Sequence, residues 1–124
     1  MDSSAFVKFV LEEDRHVELA AEMSKWETFV SSALLLVEAM RACSRYGALY
    51  GELAARELEA VSLVPVDRQV LQRTAGLTPA SLRSLDAIHL ATALTLTEEL
   101  GAFIAYDERL CAAARTLALP VSTP

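Results

Sequence analysis

The sequence predicts an α/β fold in which a small parallel sheet of four to five strands carries helices on both faces. Two observations predict it. Short apolar, β-branched or aromatic runs alternate with helical patterns, the order of βα units joined by right-handed crossovers. The runs are continuously apolar rather than alternating, as in strands covered on both faces and therefore parallel. Size agrees: 124 residues, 53% of them apolar, suit one domain over 1–124 with a core that needs no disulfide or metal staple. The same apolar fraction excludes a disordered chain.

The elements follow in order. Residues 3 to 13 read as a helix, with Phe6, Val7, Val10 and Leu11 apolar and Asp2 as its N-cap. Thr28 to Ser31 reads as a strand and Ser32 to Tyr46 as a helix. Gly47 and Gly51 then mark a turn into a second helix running through Leu58. Val61 to Val66 is a strand, followed by a helix over Asp67 to Ala75 that Gly76 and Pro79 terminate. Leu82 to Leu94 is apolar nearly all round and reads as a buried helix. Ala102 to Tyr106 is a strand and Asp107 to Leu119 a helix, whose Leu110, Ala113, Ala114 and Leu117 share one face. Pro120 to Ser122 suits a short edge strand, where proline is tolerated.

Charge and cysteine content narrow the function. Seventeen acids against 11 bases give a net charge of −6, which argues against a general basic nucleic-acid binder. It leaves room for a nuclease with its acids gathered at a metal site. Cys43 and Cys111 match no zinc spacing and are expected as reduced core thiols. No signal peptide is visible, and the longest apolar run, Ala33 to Val37, is far too short to span a bilayer. A soluble, cytoplasmic protein is expected.

Ligands of open parallel sheets bind beyond the carboxyl ends of the strands. Asp107 and Asp67 stand at such strand-to-helix junctions, and Asp2 opens a helix in the same way. Each is also a good helix cap, worth about 1 kcal/mol. Asp86 is different, because a carboxylate on a buried helix needs a partner or a metal. It belongs to a narrow polar stripe of Arg83, Asp86 and His89. Either an Arg83–Asp86 pair or a shared site accounts for it, and His89 alone suits a hydrogen-bonded buried histidine. Glu38 is open to a Glu38–Arg41 pair at i,i+3. Taken together, carboxylates from several segments at one sheet edge form an oxygen-donor site suited to Mg²⁺ or Mn²⁺. Without a cation, two such charges about 4 Å apart repel by about 4 kcal/mol at an effective dielectric near 20. The chemistry such a site serves is in-line displacement at phosphorus.

Four stretches carry a family resemblance: Asp2-Ser3-Ser4-Ala5-Phe6-Val7-Lys8, Ser32-Ala33-Leu34-Leu35-Leu36-Val37-Glu38, Leu82 to Ala93, and Ile104-Ala105-Tyr106-Asp107-Glu108-Arg109-Leu110. In this order they closely resemble the PIN-domain family, nearest to the VapC toxins of bacterial toxin–antitoxin pairs. The Leu85-Asp86-Ala87-Ile88-His89-Leu90-Ala91-Thr92-Ala93 stretch is the most specific part. The resemblance implies a PIN-like three-layer sandwich and a Mg²⁺- or Mn²⁺-dependent endoribonuclease acting on RNA. By motif position it implies Asp2, Glu38, Asp86 and Asp107 as the catalytic and metal-binding acids, with Ser4, Arg83 and His89 in support. Asp67 matches no site position and reverts to a cap. The resemblance further implies a homodimer held by a cognate VapB-like antitoxin. The tail of that antitoxin would cover the acidic pocket through a groove by the first helix and the helical pair around Gly47. The family sets a buried strand before its first Asp. Only Met1 precedes Asp2, so that strand is expected to be truncated.

Other readings fit less well. A catalytically inactive PIN-fold binding module would not need all four acids. A receiver-like signalling domain would pair acids after its first strand, where Ser3 stands, and would carry a late lysine, yet no Lys follows residue 25. No Gly-x-Ser-x-Gly elbow and no phosphate-binding glycine loop occurs.

Overall fold

The computed structural model describes residues 1–124. Two helices lead the chain, α1 (Ser3–Val10) and α2 (His16–Met23). The strand β1 (Phe29–Ser32) feeds α3 (Leu34–Ser44), which turns into α4 (Ala48–Leu58). Then come β2 (Val61–Val64), α5 (Arg68–Ala75) and α6 (Ser84–Ala93), the last ending in a 3₁₀ turn over Leu94–Leu96. The chain closes with β3 (Phe103–Ile104), α7 (Glu108–Thr116) and β4 (Val121–Ser122). The α/β alternation expected from the sequence is therefore present. No helix is long and apolar enough to cross a membrane.

The strands pair in parallel, as their unbroken apolar runs require. β1 and β2 align Phe29 with Val61 through Ser32 with Val64. β3 and β4 align Phe103 with Val121 and Ile104 with Ser122. The ladder detail differs from the single sheet of four to five strands that the sequence suggests, because the four strands form two separate pairs. Between the pairs lies only the short segment Met1–Asp2. Met1 N donates to Val30 O at 3.0 Å, Ser31 Oγ donates to Met1 O at 2.8 Å, and Asp2 N donates to Ile104 O at 3.0 Å. Two residues reach both neighbours but carry too few rungs to form a full ladder.

Apolar clusters cover both faces of this layer. On one side Phe6 and Val10 of α1, Leu19 of α2, Leu35, Ala39 and Cys43 of α3, and Ala54 and Leu58 of α4 pack with Ile104. On the other, Leu90 and Ala93 of α6 pack with Phe103, with Leu110, Cys111, Ala113 and Ala114 of α7, and with Leu119. Adjacent Phe103 and Ile104 thus point to opposite cores, the period-two alternation of a strand sandwiched between helices. Each such large side chain contributes about 1.5–3 kcal/mol when fully buried. Both cysteines are free and buried, as their apolar settings suggest.

Asp67 caps α5, accepting from Val70 N at 2.9 Å, and Asp2 caps α1, accepting from Ala5 N at 3.1 Å. The helix α2 has no counterpart in the sequence reading. It buries only Leu19, so no apolar stripe announces it.

Candidate functional site

The sequence-predicted acids reach one region from four different elements. Asp2 sits at the N-terminus of α1, Glu38 on α3, Asp86 in the first turn of α6, and Asp107 at the N-cap of α7. Chain order scatters them. The fold gathers them: α3 and α7 follow parallel strands and so begin at one sheet edge, and α1 and α6 bring Asp2 and Asp86 to the same edge.

Asp2 is the most enclosed, at 4% exposure. Its carboxylate accepts Ser4 Oγ–H, with Oγ 3.0 and 2.9 Å from its two oxygens, as well as the Ala5 amide. Ser4 therefore supports Asp2 directly, and its Oγ also accepts from Tyr106 N at 3.4 Å. Burial nonetheless pushes the Asp2 carboxyl above its ordinary value, outweighing those bonds and the charge of His89.

Glu38 is held by residues distant in sequence. His89 Nε2 donates to Glu38 Oε2 at 2.7 Å, and Ser3 Oγ donates to the same oxygen. His89 Nε2 also lies 2.9 Å from Ser3 Oγ. Partial burial alone would raise the Glu38 carboxyl, but the bonds from His89 and Ser3 and the charge of His89 hold it below its ordinary value. The local Glu38–Arg41 pair does not form, since the only ion pair of Glu38 is with His89. Ser3 is a participant that the sequence reading did not select. A hydroxyl one residue after Asp2 gives no periodic signal, and only the fold brings it to Glu38.

Asp86 carries the like-charge burden. Its carboxyl is raised first by burial and then by Asp107, with Asp2 adding to the rise, while Arg83 and His89 oppose it. Arg83 acts through its field alone, because no Arg83–Asp86 ion pair within 4.0 Å exists. Arg83 is otherwise exposed and gives α6 no side-chain cap. Asp107 accepts from Leu110 N at 2.9 Å, so it caps α7 while its charge reaches Asp86.

The arrangement thus has two parts. Glu38, Ser3 and His89 are locked together, and Asp107 and Asp2 bear on Asp86 through space. No three His, Cys, Asp or Glu side chains converge on a single coordination point. The donor chemistry suits a divalent cation all the same. The ligands are oxygens, one carboxyl is already raised by burial and by its anionic neighbours, and Mg²⁺ is commonly held by one or two carboxylates with water and substrate phosphate completing its shell.

Comparison with known proteins agrees with this architecture. The model of the PIN domain matches residues 1–116. The chain is similar to Ribonuclease VapC46 of Mycobacterium tuberculosis (strain ATCC 25618 / H37Rv), 41% identical over 124 residues, which span 100% of this chain and 95% of the relative. It is similar to Ribonuclease VapC47 of Mycobacterium tuberculosis (strain CDC 1551 / Oshkosh), 36% identical over 129 residues with the same coverage. Ribonuclease VapC35 of the latter strain is 33% identical over 131 residues, again with 100% of this chain and 95% of the relative covered. No solved structure gives a significant match. With its parallel strands between helices and its acids at one sheet edge, the chain belongs to the PIN domain family.

Proposed function

We propose that this protein is a divalent-metal-dependent endoribonuclease of the VapC type, a toxin restrained by a cognate VapB-like antitoxin and acting as a homodimer in the cytoplasm. The observation that carries the reading is the Asp86 carboxyl, raised by burial and by the neighbouring Asp107 and Asp2. Like charges drawn from three elements, Asp2 buried and Asp86 and Asp107 half-buried, are costly to a fold, and a bound cation relieves that cost. The names of the relatives supply the substrate class, RNA.

Asp2, Asp86 and Asp107, with Glu38 beside them, would hold Mg²⁺ or Mn²⁺. When bound, such an ion lowers the pKa of the attacking water and neutralises charge on the phosphodiester and the leaving ribose oxygen. The protein's own groups position the rest. Ser4 and the Ala5 amide fix the Asp2 carboxylate in one orientation. His89 and Ser3 both engage Oε2 of Glu38, so Oε1 remains to accept the proton of the attacking water. Water adds to phosphorus, the bond from phosphorus to the leaving oxygen breaks, and no covalent enzyme intermediate is needed.

The test is cleavage of cellular RNA in Mg²⁺ or Mn²⁺ by the wild type and by Asp86→Asn. We expect the variant to lose at least about 10²-fold in rate, the scale of a general acid–base or electrostatic group. Equal cleavage by both proteins, or none by the wild type, sinks the reading.

A further inference from the structure

Two cavities continue from the candidate site along α3. The first, about 550 Å³, is lined by Ser3, Ser4 and Glu38 at one end and by Arg41 and Arg45 at the other. The second, about 440 Å³, is lined by Met40, Arg41, Ser44 and Arg45. Both arginines therefore belong to both cavities, and no acid lines the second. Glu38, Arg41 and Arg45 stand at i, i+3 and i+7, so they follow one face of the helix about one turn apart.

Arg41 and Arg45 are exposed, and neither makes an ion pair or a side-chain hydrogen bond. Lys8, Lys25 and Arg56 pair with Glu13, Glu22 and Glu57, and Arg73 donates to Leu94 O; of the arginines left without a partner, Arg41 and Arg45 are the two that share a cavity with Glu38. In a chain of charge −6, two guanidiniums left without acids beside an acidic pocket form a local positive stretch where the overall field is negative. A polyanion approaching Glu38 needs such a stretch, because the carboxylates themselves repel it.

We propose that Arg41 and Arg45 form a phosphate track that holds the RNA backbone on one side of the cleaved bond. The proposal rests on the nuclease reading above and adds to it the route of the strand. Continuity favours RNA over an acidic protein segment, since one cavity contains both arginines and the proposed proton acceptor Glu38. Guanidinium forks suit phosphate oxygens, and contacts to phosphate fix position without reading sequence.

The experiment measures binding of a labelled, mixed-sequence single-stranded RNA by fluorescence anisotropy. Ca²⁺ replaces Mn²⁺, and salt is varied. Each single-strand phosphate contact contributes about 0.7 to the slope of log affinity against log salt. Arg41→Gln/Arg45→Gln should therefore flatten the slope by about 1.4 and weaken binding about tenfold at physiological salt. Arg41→Lys/Arg45→Lys should keep most of the slope, and Arg68→Gln/Arg115→Gln, which removes equal charge outside both cavities, should leave it unchanged. With Mn²⁺, the glutamine double variant should raise KM for the same RNA while kcat stays within about twofold. An unchanged slope, or an equal fall in the Arg68/Arg115 control, overturns the track. So does an unchanged slope accompanied by lost binding of a poly-glutamate peptide, which would assign the face to an acidic protein. If the wild type cuts no RNA yet binds it with an Arg41- and Arg45-dependent slope, the nuclease reading falls and the track stands. If it cuts RNA and the slope ignores both arginines, the track falls and the nuclease reading stands.

Discussion

Glu38 shows why single residues are hard to read from a sequence. Local spacing offers it Arg41, three residues away. The fold gives it His89, 51 residues away, and Ser3, 35 residues away. Helical periodicity identifies neighbours on one helix, whereas both true partners arrive by tertiary packing. Asp2, Asp86 and Asp107 were easier to find, because a strand-to-helix junction or an acid on an apolar helix leaves a local mark. Tyr106 left none. Its ring sits 4.8 Å from Lys8 Nζ, while its hydroxyl is buried without a hydrogen-bond partner. An unsatisfied buried hydroxyl costs about 1–3 kcal/mol. Tyr106→Phe removes that cost and keeps the ring under the ammonium, so urea unfolding should show a gain of about 1 kcal/mol.

At the scale of elements, helix caps separate structure from chemistry. Asp67 and Asp107 accept from the third following amide at the same 2.9 Å. Replacing either with Ala should cost about 1 kcal/mol of stability. Only Asp107→Ala should abolish RNA cleavage, since Asp67 has no proposed role at the site; parallel melting and cleavage assays read both effects. Most helices and strands announced themselves through apolar periodicity and were displaced by only a residue or two at their ends. The helix α2 did not, because one buried leucine makes no stripe. Just beyond it, Trp26 lies against Gly101: a Cβ on Gly101 would come within 2.1 Å of the ring. The ring is partly exposed and can swing aside, so Gly101→Ala should cost little stability. Trp26 is the only tryptophan, so its fluorescence should shift to the red as the ring enters water; unchanged emission would contradict this packing.

At the scale of the molecule, the surplus of acid is uneven in its consequences. Raised carboxyls at Asp2 and Asp86 mark the place where that surplus is felt inside the fold. A divalent cation bound there and absent from the unfolded chain adds about 2.7 kcal/mol at a concentration 100 times its Kd. Millimolar Mn²⁺ should therefore raise the melting temperature of the wild type and do so far less for Asp86→Asn. The α/β class could be read from strand composition alone, but the division of the strands into two pairs could not, because hydrogen-bond ladders depend on which backbones meet. That division bears on time as well as on shape. Met1 and Asp2 bridge β1 and β3, so the residue that stitches the two pairs is also the first acid of the site. A brief parting of the pairs at Asp2 N and Ile104 O would carry the Asp2 carboxylate away from Asp86 without unfolding any helix. The lifetime of the Asp2 amide against hydrogen exchange would then measure how long each molecule stays fit for catalysis between such openings.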